Sequence, residues 1–321
     1  MCPNTQLAGI HSRSERLIEL TRSYDRGRTP RVDTDRQLEE DTLQLINLQD
    51  GLGFEYLSDG ALGWQDQLRP IAESLKGIVA GTRYSRWFDT NTFYRKPIVT
   101  SRVALGDFQT KNFIRTDLLP RTKRWKVVVV GPYTFSELSE NRHYSEKSDY
   151  IYDLALAERE ILKRLNEQGI SSIQLSEPCL VYQPYRERQA EREELELALS
   201  AIGRTVEGVA SDFSIQTYFG DASPILPKLL ELPVDTVGFD LFETDYSRLK
   251  IETSKRLAFG IVDSRDSNVE DPSWIAETTT RARKHISSPE LTLVPNSDLK
   301  FVPRQVADAK AQALAKASSL L

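Results

Sequence analysis

Thiols are nearly absent from this chain: among 321 residues only Cys2 and Cys179 are cysteine. Two cysteines cannot build a disulfide framework or a cysteine-rich zinc site, so a reducing, cytosolic compartment is the simplest expectation. Methionine is scarcer still, with Met1 alone, a poverty in oxidisable residues shared with heat-adapted proteins. The three histidines, His11, His143 and His285, lie far apart, and no His-x-Cys, Cys-x-x-Cys or His-Glu-x-x-His occurs. A high-affinity zinc site is therefore not expected. Long apolar runs are missing too. Val127 to Val130 is typical of those present, far below the roughly 18 residues a membrane span needs. Positive charge is not in excess: 42 basic against 47 acidic residues give −5, which argues against a nucleic-acid or anionic-membrane partner. The opening Met1-Cys2-Pro3-Asn4 lacks the basic-then-apolar pattern of a secretion signal.

What is present is an alternation of short β-branched runs with longer amphipathic stretches. Eight candidate strands can be placed, at residues 7–10, 54–57, 126–130, 172–175, 213–218, 236–240, 257–262 and 291–294. The clearest helix runs from Asp149 to Gln168, where Ile151, Leu154, Leu156, Ile161, Leu162 and Leu165 recur at roughly three-to-four spacing. Ser148 or Asp149 would cap its start and Gly169 would supply its left-handed stop. A last helix is expected from Pro303 to Leu320. Eight strands each followed by a helix predict an α/β fold, a (β/α)8 TIM barrel. An open doubly wound sheet is the alternative, but its Gly-x-Gly-x-x-Gly phosphate loop is absent. A barrel takes about 250 residues, and the excess falls between the second and third strands. There, over 81–124, helical spacing fails while Tyr84, Trp87, Phe88, Phe93, Tyr94, Phe108 and Phe113 cluster. The expectation is one domain over 1–321, with 81–124 inserted as a lid or interface element.

In a barrel, chemistry belongs at the C-terminal strand ends. Those ends carry His11 and Arg13, Ser58 and Asp59, Thr134, Ser176 and Glu177, Thr217 and Tyr218, Asp240 and Glu243, Asp263 and Arg265, and Asn296 to Asp298. The strand bodies are apolar, so a polar pocket on an apolar support is expected. Glu177 suits a general base or a substrate-binding carboxylate, or equally a carboxylate that satisfies loop amides. Arg13 and Arg16 suit an anion clamp because guanidinium offers a rigid fork of donors, or else an ordinary helix face. A magnesium site built from Asp59, Asp240 or Asp263 has no particular spacing behind it. Cys179 reads as a buried structural thiol.

Several of these segments resemble the cobalamin-independent methionine synthase family. Arg86-Trp87-Phe88-Asp89-Thr90-Asn91 with Tyr94 is similar to the family's Lys-Trp-Phe-Asp-Thr-Asn-Tyr-His-Tyr. Gly131-Pro132-Tyr133-Thr134-Phe135, Gln174-Leu175-Ser176-Glu177-Pro178, Thr217-Tyr218-Phe219-Gly220 and Gly260 to Arg265 resemble further segments, in the family's order. The match is to the N-terminal, non-zinc half of the long enzyme. What the resemblance implies is a duplicated barrel whose other half binds zinc through His-x-Cys, a Glu and a second Cys. In that half, zinc activates homocysteine for methyl transfer from a methylated folate. Carried onto this chain, those ligands fall on Thr217 and Phe219, near Asp240, and on Ser297, and the amine-binding Asp falls on Ser176. A metal site is then not expected here, and zinc would sit on a separate barrel-bearing polypeptide. The implied role is a component of homocysteine methylation, with Arg13 and Arg16 drawing an anionic folate tail and Trp87 or Tyr218 stacking on its pterin. Asp89, Asn91, Ser176, Glu177 and Arg265 would line the same small-molecule cleft. No cofactor is expected to be tightly bound. The alternatives are a self-sufficient, metal-free transferase using Glu177, Asp240 or Asp263, and a barrel that only binds or regulates.

Overall fold

The structure, a computed structural model, describes residues 2–321. In chain order its elements are β1 (Asn4–Thr5), α1 (Glu15–Asp25), α2 (Arg31–Gly51), α3 (Arg69–Ser74), β2 (Leu75–Arg86), β3 (Phe93–Leu105), β4 (Lys126–Val130), α4 (Pro132–Leu138), β5 (Glu140–Asn141), α5 (Lys147–Glu167), β6 (Ser172–Ser176) and α6 (Arg192–Val206). They continue with β7 (Asp212–Gln216), α7 (Leu226–Leu229), β8 (Thr236–Asp240), β9 (Ile251–Glu252), β10 (Arg256–Val262), α8 (Pro272–Ala282), β11 (Ile286–Ser287), β12 (Leu291–Pro295) and α9 (Arg304–Ser318). Seven strands form one curled parallel sheet in the order β1-β12-β10-β8-β7-β6-β4. Strands β4, β6, β8 and β12 are buried along their whole length, as parallel strands covered on both faces are.

Six of the eight strands expected from the sequence are found, two with the expected ends and four with ends shifted by a residue or two; the first two differ. Residues 54–57 contribute only a bridge, Leu57 to Trp125. Even so, the Glu55 N–H reaches Thr5 O at 3.2 Å and the Leu57 N–H reaches Arg124 O at 2.9 Å, so the segment bonds to both edges of the sheet. The first strand lies at Asn4–Thr5 rather than at Leu7–Ile10. The reason is where the backbone bonds of 7–10 go. The Ile10 N–H bonds to the Asp298 carboxylate at 2.8 Å, while Leu7 O and Ala8 O accept from the side chains of Lys126 and Gln174. Side chains have taken the partners a ladder would have used.

The long helix α5 starts at Lys147, with Glu146 at its N-cap and no side-chain cap, so neither Ser148 nor Asp149 caps it. Gly169 does take the left-handed conformation, with φ +85°. Pro303 stands at the N-cap of α9, just outside the helix. Between 57 and β4 the chain makes a long antiparallel hairpin, β2–β3, to which β5 adds a short parallel edge. It opens at Leu75, ahead of Gly81 where the departure from helical spacing was expected.

Candidate active site

Glu177 follows β6 at the carboxyl end of the sheet. Its carboxylate accepts the N–H groups of Tyr133 at 3.0 Å and Thr134 at 2.7 Å, both in the first turn of α4. The approach is possible because residue 131 is glycine: a Cβ there would collide with the Glu177 carboxylate. Burial pushes the Glu177 carboxyl up to about 7, against the hydrogen bonds from Thr134 and Tyr133 that favour ionisation. Ser176, also buried, lies 3.3 Å from Gln174 Nε2. Cys179 is buried, and burial pushes its thiol well up, which leaves it an inert packing group.

Asp240 ends β8 in a second buried site. It accepts the N–H groups of Phe242 at 2.9 Å and Phe219 at 3.3 Å, and the Asn296 amide at 3.1 Å. The same amide nitrogen lies 3.3 Å from Asp263 Oδ1, so Asn296 joins the two carboxylates. Burial pushes Asp240 up to about 7, with backbone hydrogen bonds opposing. Arg265 is drawn into this rim, 2.6 Å from Glu243, 3.6 Å from Asp263 and 4.8 Å above the Phe219 ring. Asp59 is engaged elsewhere, by the N–H groups of Ala61 and Arg115. Asp298, also buried, receives Gln67 and the Ile10 N–H, while Tyr218 Oη lies 3.5 Å from Gln67 Oε1.

The tip of the β2–β3 hairpin comes down over these groups. Trp87 is 1% exposed, and Phe88 and Tyr94 are buried with it. Ring centroids run from Trp87 to Phe88 at 5.1 Å, from Phe88 to Phe219 at 5.5 Å and from Phe219 to Tyr218 at 4.8 Å. The aromatic cluster of the sequence is thus divided: Trp87, Phe88 and Tyr94 pack inward, while Tyr84 and Phe93 stay 60% and 57% exposed. Asp89 and Asn91 sit at the exposed tip, where Asp89 accepts from Tyr182 Oη at 3.3 Å and Asn91 from Arg86 at 3.2 Å. Arg13 donates to the Trp64 carbonyl and borders a groove of about 460 Å³ beside α1 and α2. Arg16 is exposed on α1, so the two arginines do not form one clamp.

The family description "Cobalamin-independent synthase, N-terminal domain" matches residues 71–287. The chain belongs to that family. It is 25% identical to a methionine synthase of Sulfolobus acidocaldarius over 308 residues, covering 94% of this chain and 87% of the relative. It is 24% identical to that of Sulfurisphaera tokodaii, covering 99% and 92%. Its fold overlays the structure of a B12-independent methionine synthase from Shewanella sp. W3-18-1 in complex with selenomethionine, with a TM-score of 0.81 and 16% identity, over 100% of this chain and 97% of that one.

Measured against the family resemblance, the residues at the expected ligand positions do not fit zinc. Thr217 directs its hydroxyl toward Gly238 O, Phe219 offers only a ring, and Ser297 lies 2.6 Å from Ser264 Oγ. Among the described residues, no three His, Cys, Asp or Glu side chains converge to hold a metal, so the magnesium set of Asp59, Asp240 and Asp263 is not assembled either. Sequence reasoning missed Gln67, Phe88 and Lys300 as members of the site; Lys300 Nζ lies 3.5 Å from Asp298 Oδ2 and 5.6 Å over the Trp87 ring. Gln67 lies away from the strand ends, and no local pattern marks it or Lys300. Phe88 stands inside the recognised motif and was passed over for its neighbour Trp87.

Proposed function

We propose that this chain is a component of methionine synthesis that works with a separate zinc-bearing barrel in methyl transfer from a methylated folate to homocysteine. The observation that carries this reading is the replacement of the expected zinc ligands by Thr217, Phe219 and Ser297 within an otherwise family-like fold. Zinc acts in such a site by holding a thiol as thiolate near neutral pH, and hydroxyls and a phenyl ring cannot replace it. On this reading the sheet and residues 54–57 close a (β/α)8 barrel, residues 1–321 are one unit in the cytoplasm, and 81–124 is the insertion that meets the partner or covers the cleft. Arg13 and Arg16 would attract the folate's anionic tail. Trp87, Asp89, Asn91, Ser176, Glu177, Tyr218 and Arg265 would line or support the cleft.

A second reading, a metal-free transferase, is favoured by Glu177 and Asp240, two buried carboxyls both pushed up to about 7. Carboxyls poised near neutrality suit proton transfer. One experiment separates the readings: assay homocysteine methylation by the chain alone, by candidate zinc-barrel partners alone, and by the mixtures, with zinc content measured throughout. The expected result is no turnover and no stoichiometric zinc in the isolated chain, and turnover gained in a mixture. Robust turnover by the isolated chain, free of contaminating synthase, overturns the two-chain reading.

A further inference from the structure

We propose that the amino end of the curled sheet holds a single halide ion, chloride under ordinary conditions, in an enclosed space beside Lys126. The space is lined by residues of β4, β6, β7, β8, β10 and β12, together with Gln6 and Tyr56. Interiors of curled parallel sheets are usually filled by bulky branched side chains. This lining is instead largely polar, with Ser172, Gln174, Ser214, Gln216, Thr236 and Thr292. The space is also small. The centre of a water-sized body can move over about 10 Å³, which is room for about one water. A monatomic ion suits that volume, and a carboxylate, phosphate or sulfate does not.

Charge and donors select an anion. Lys126 is buried, and its ammonium donates to Gln6 Oε1 at 3.0 Å and to Leu7 O at 2.9 Å, neither of them charged. The carboxylates nearby are already engaged. Asp212 accepts from Tyr56 Oη at 2.7 Å and from Arg256, and Glu55 accepts from Gln6 at 3.1 Å and Arg124 at 3.3 Å. Three cations, Lys126, Arg256 and Arg124, thus meet two carboxylates, and one unit of negative charge is missing. A buried charge without a counter-charge is costly. Burial pulls the Lys126 ammonium down to about 7, with Asp212 and Glu55 opposing only in part. Two buried polar groups without a partner border the same space, Ser214 Oγ and Gln216 Nε2. An ammonium and an amide nitrogen can only donate, and a hydroxyl can donate as well, so the occupant they share is an acceptor. A water would satisfy the hydrogen bonds and leave the charge; a halide satisfies both. Because Lys126 joins β4 to residues 6 and 7, the ion braces that junction, and binding it stabilises the fold.

The test compares the unaltered full chain with Gln216→Glu, which nearly keeps the shape of residue 216 and supplies a carboxylate of its own. Melting temperature is followed against sodium chloride and, separately, sodium bromide, with sodium gluconate holding the ionic strength constant. The unaltered chain is expected to rise to a plateau in both halides, and Gln216→Glu to show no such rise. General salt effects are common to both proteins, so equal responses overturn the site. Should Gln216→Glu fail to fold, Ser214→Ala takes its place. It removes one hydrogen bond to the ion and is expected to need at least about tenfold more chloride for half of the gain; an unchanged requirement overturns the site. Crystals of the unaltered chain grown in bromide give the location. An anomalous scatterer among Lys126, Ser214 and Gln216 is expected, and a water there without bromide scattering refutes the proposal.

Discussion

The carboxyl end of the curled sheet and the hairpin above it are held in place by different forces. At the sheet end, Glu177, Asp240 and Asp298 are buried and each is fixed by backbone N–H groups. In the hairpin tip, Trp87 and Phe88 are held by ring packing, with hydrogen bonds that close on the tip itself. Charge separates them as well. Residues 75–105 carry Lys76, Arg83, Arg86, Arg95, Lys96 and Arg102 against Asp89 alone, in a chain whose net charge is −5. The sheet end is therefore a directional, preorganised polar layer, and the hairpin is an apolar and cationic cover with few fixed partners. The contrast teaches that removing hairpin rings should cost burial, whereas altering sheet-end carboxyls should change how stability responds to pH.

The largest effect is expected at Trp87, where the cover meets the sheet end. Truncation of a fully buried Trp costs about 3–5 kcal/mol through lost transfer energy and a residual cavity. Trp87→Ala should therefore lower the melting temperature by many degrees, measured calorimetrically at constant pH. A melting temperature within a degree or two of the unaltered chain would show that the tip does not pack as described.

A smaller and pH-dependent effect is expected at Glu177. Its folded-state carboxyl is pushed up to about 7 by burial, above the ordinary value it regains on unfolding. Its contribution is therefore fully present below about 4.5 and is lost as pH rises through about 7. Glu177→Gln cannot titrate and forfeits one of two accepted N–H bonds, a loss of about 1–2 kcal/mol in acid. The stability gap between the unaltered chain and the variant should narrow from pH 5 to pH 8, as read from urea melts. A gap that widens over that range would mean the carboxyl is ionised throughout and stabilised by the α4 amides. Asp240, pushed up to about 7 by burial as well, should add a fall of the same sign in both proteins.

Much of this arrangement was legible in the sequence, and the gaps have physical causes. The buried strands β4 and β10 announce themselves because parallel strands covered on both faces favour nearly continuous apolar runs. Strand β6 is legible instead by its alternation, Ser172-Ile173-Gln174-Leu175-Ser176, although every residue of it is buried. Gly169 was legible as a stop because a left-handed helix end favours glycine. The positions of Glu177 and Asp240 followed from the strand ends. The hairpin was not legible as β structure: its burial pattern is irregular, and its register shifts between Lys76 and Ile78 and between Ala80 and Tyr84, which breaks the strict alternation that marks a strand. The inward turn of Trp87 and Phe88 was hidden as well, since it depends on partners at 182, 218 and 219. A motif segment shows that aromatics cluster but not which of them face the interior.

The smallest effect on stability is expected on the outer face of the hairpin, and there the comparison between the two regions becomes a test of association. Phe93 is 57% exposed, and Arg83 forms no ion pair among the described residues. Surface substitutions away from caps, strain and buried networks usually change stability by less than about 0.5 kcal/mol. Phe93→Ser and Arg83→Glu should accordingly leave the urea midpoint nearly unchanged. If the hairpin meets an acidic face of the zinc-bearing partner, the two substitutions should weaken association by different routes. Arg83→Glu should slow association most at low salt, because charges steer the encounter and salt screens them. Phe93→Ser should mainly hasten dissociation, because an apolar anchor acts after the encounter. Stopped-flow association measured at two ionic strengths separates these outcomes. Unchanged rates in both variants, with the mixture still active, would place the partner against some other face and leave the hairpin as a cover for the sheet end alone.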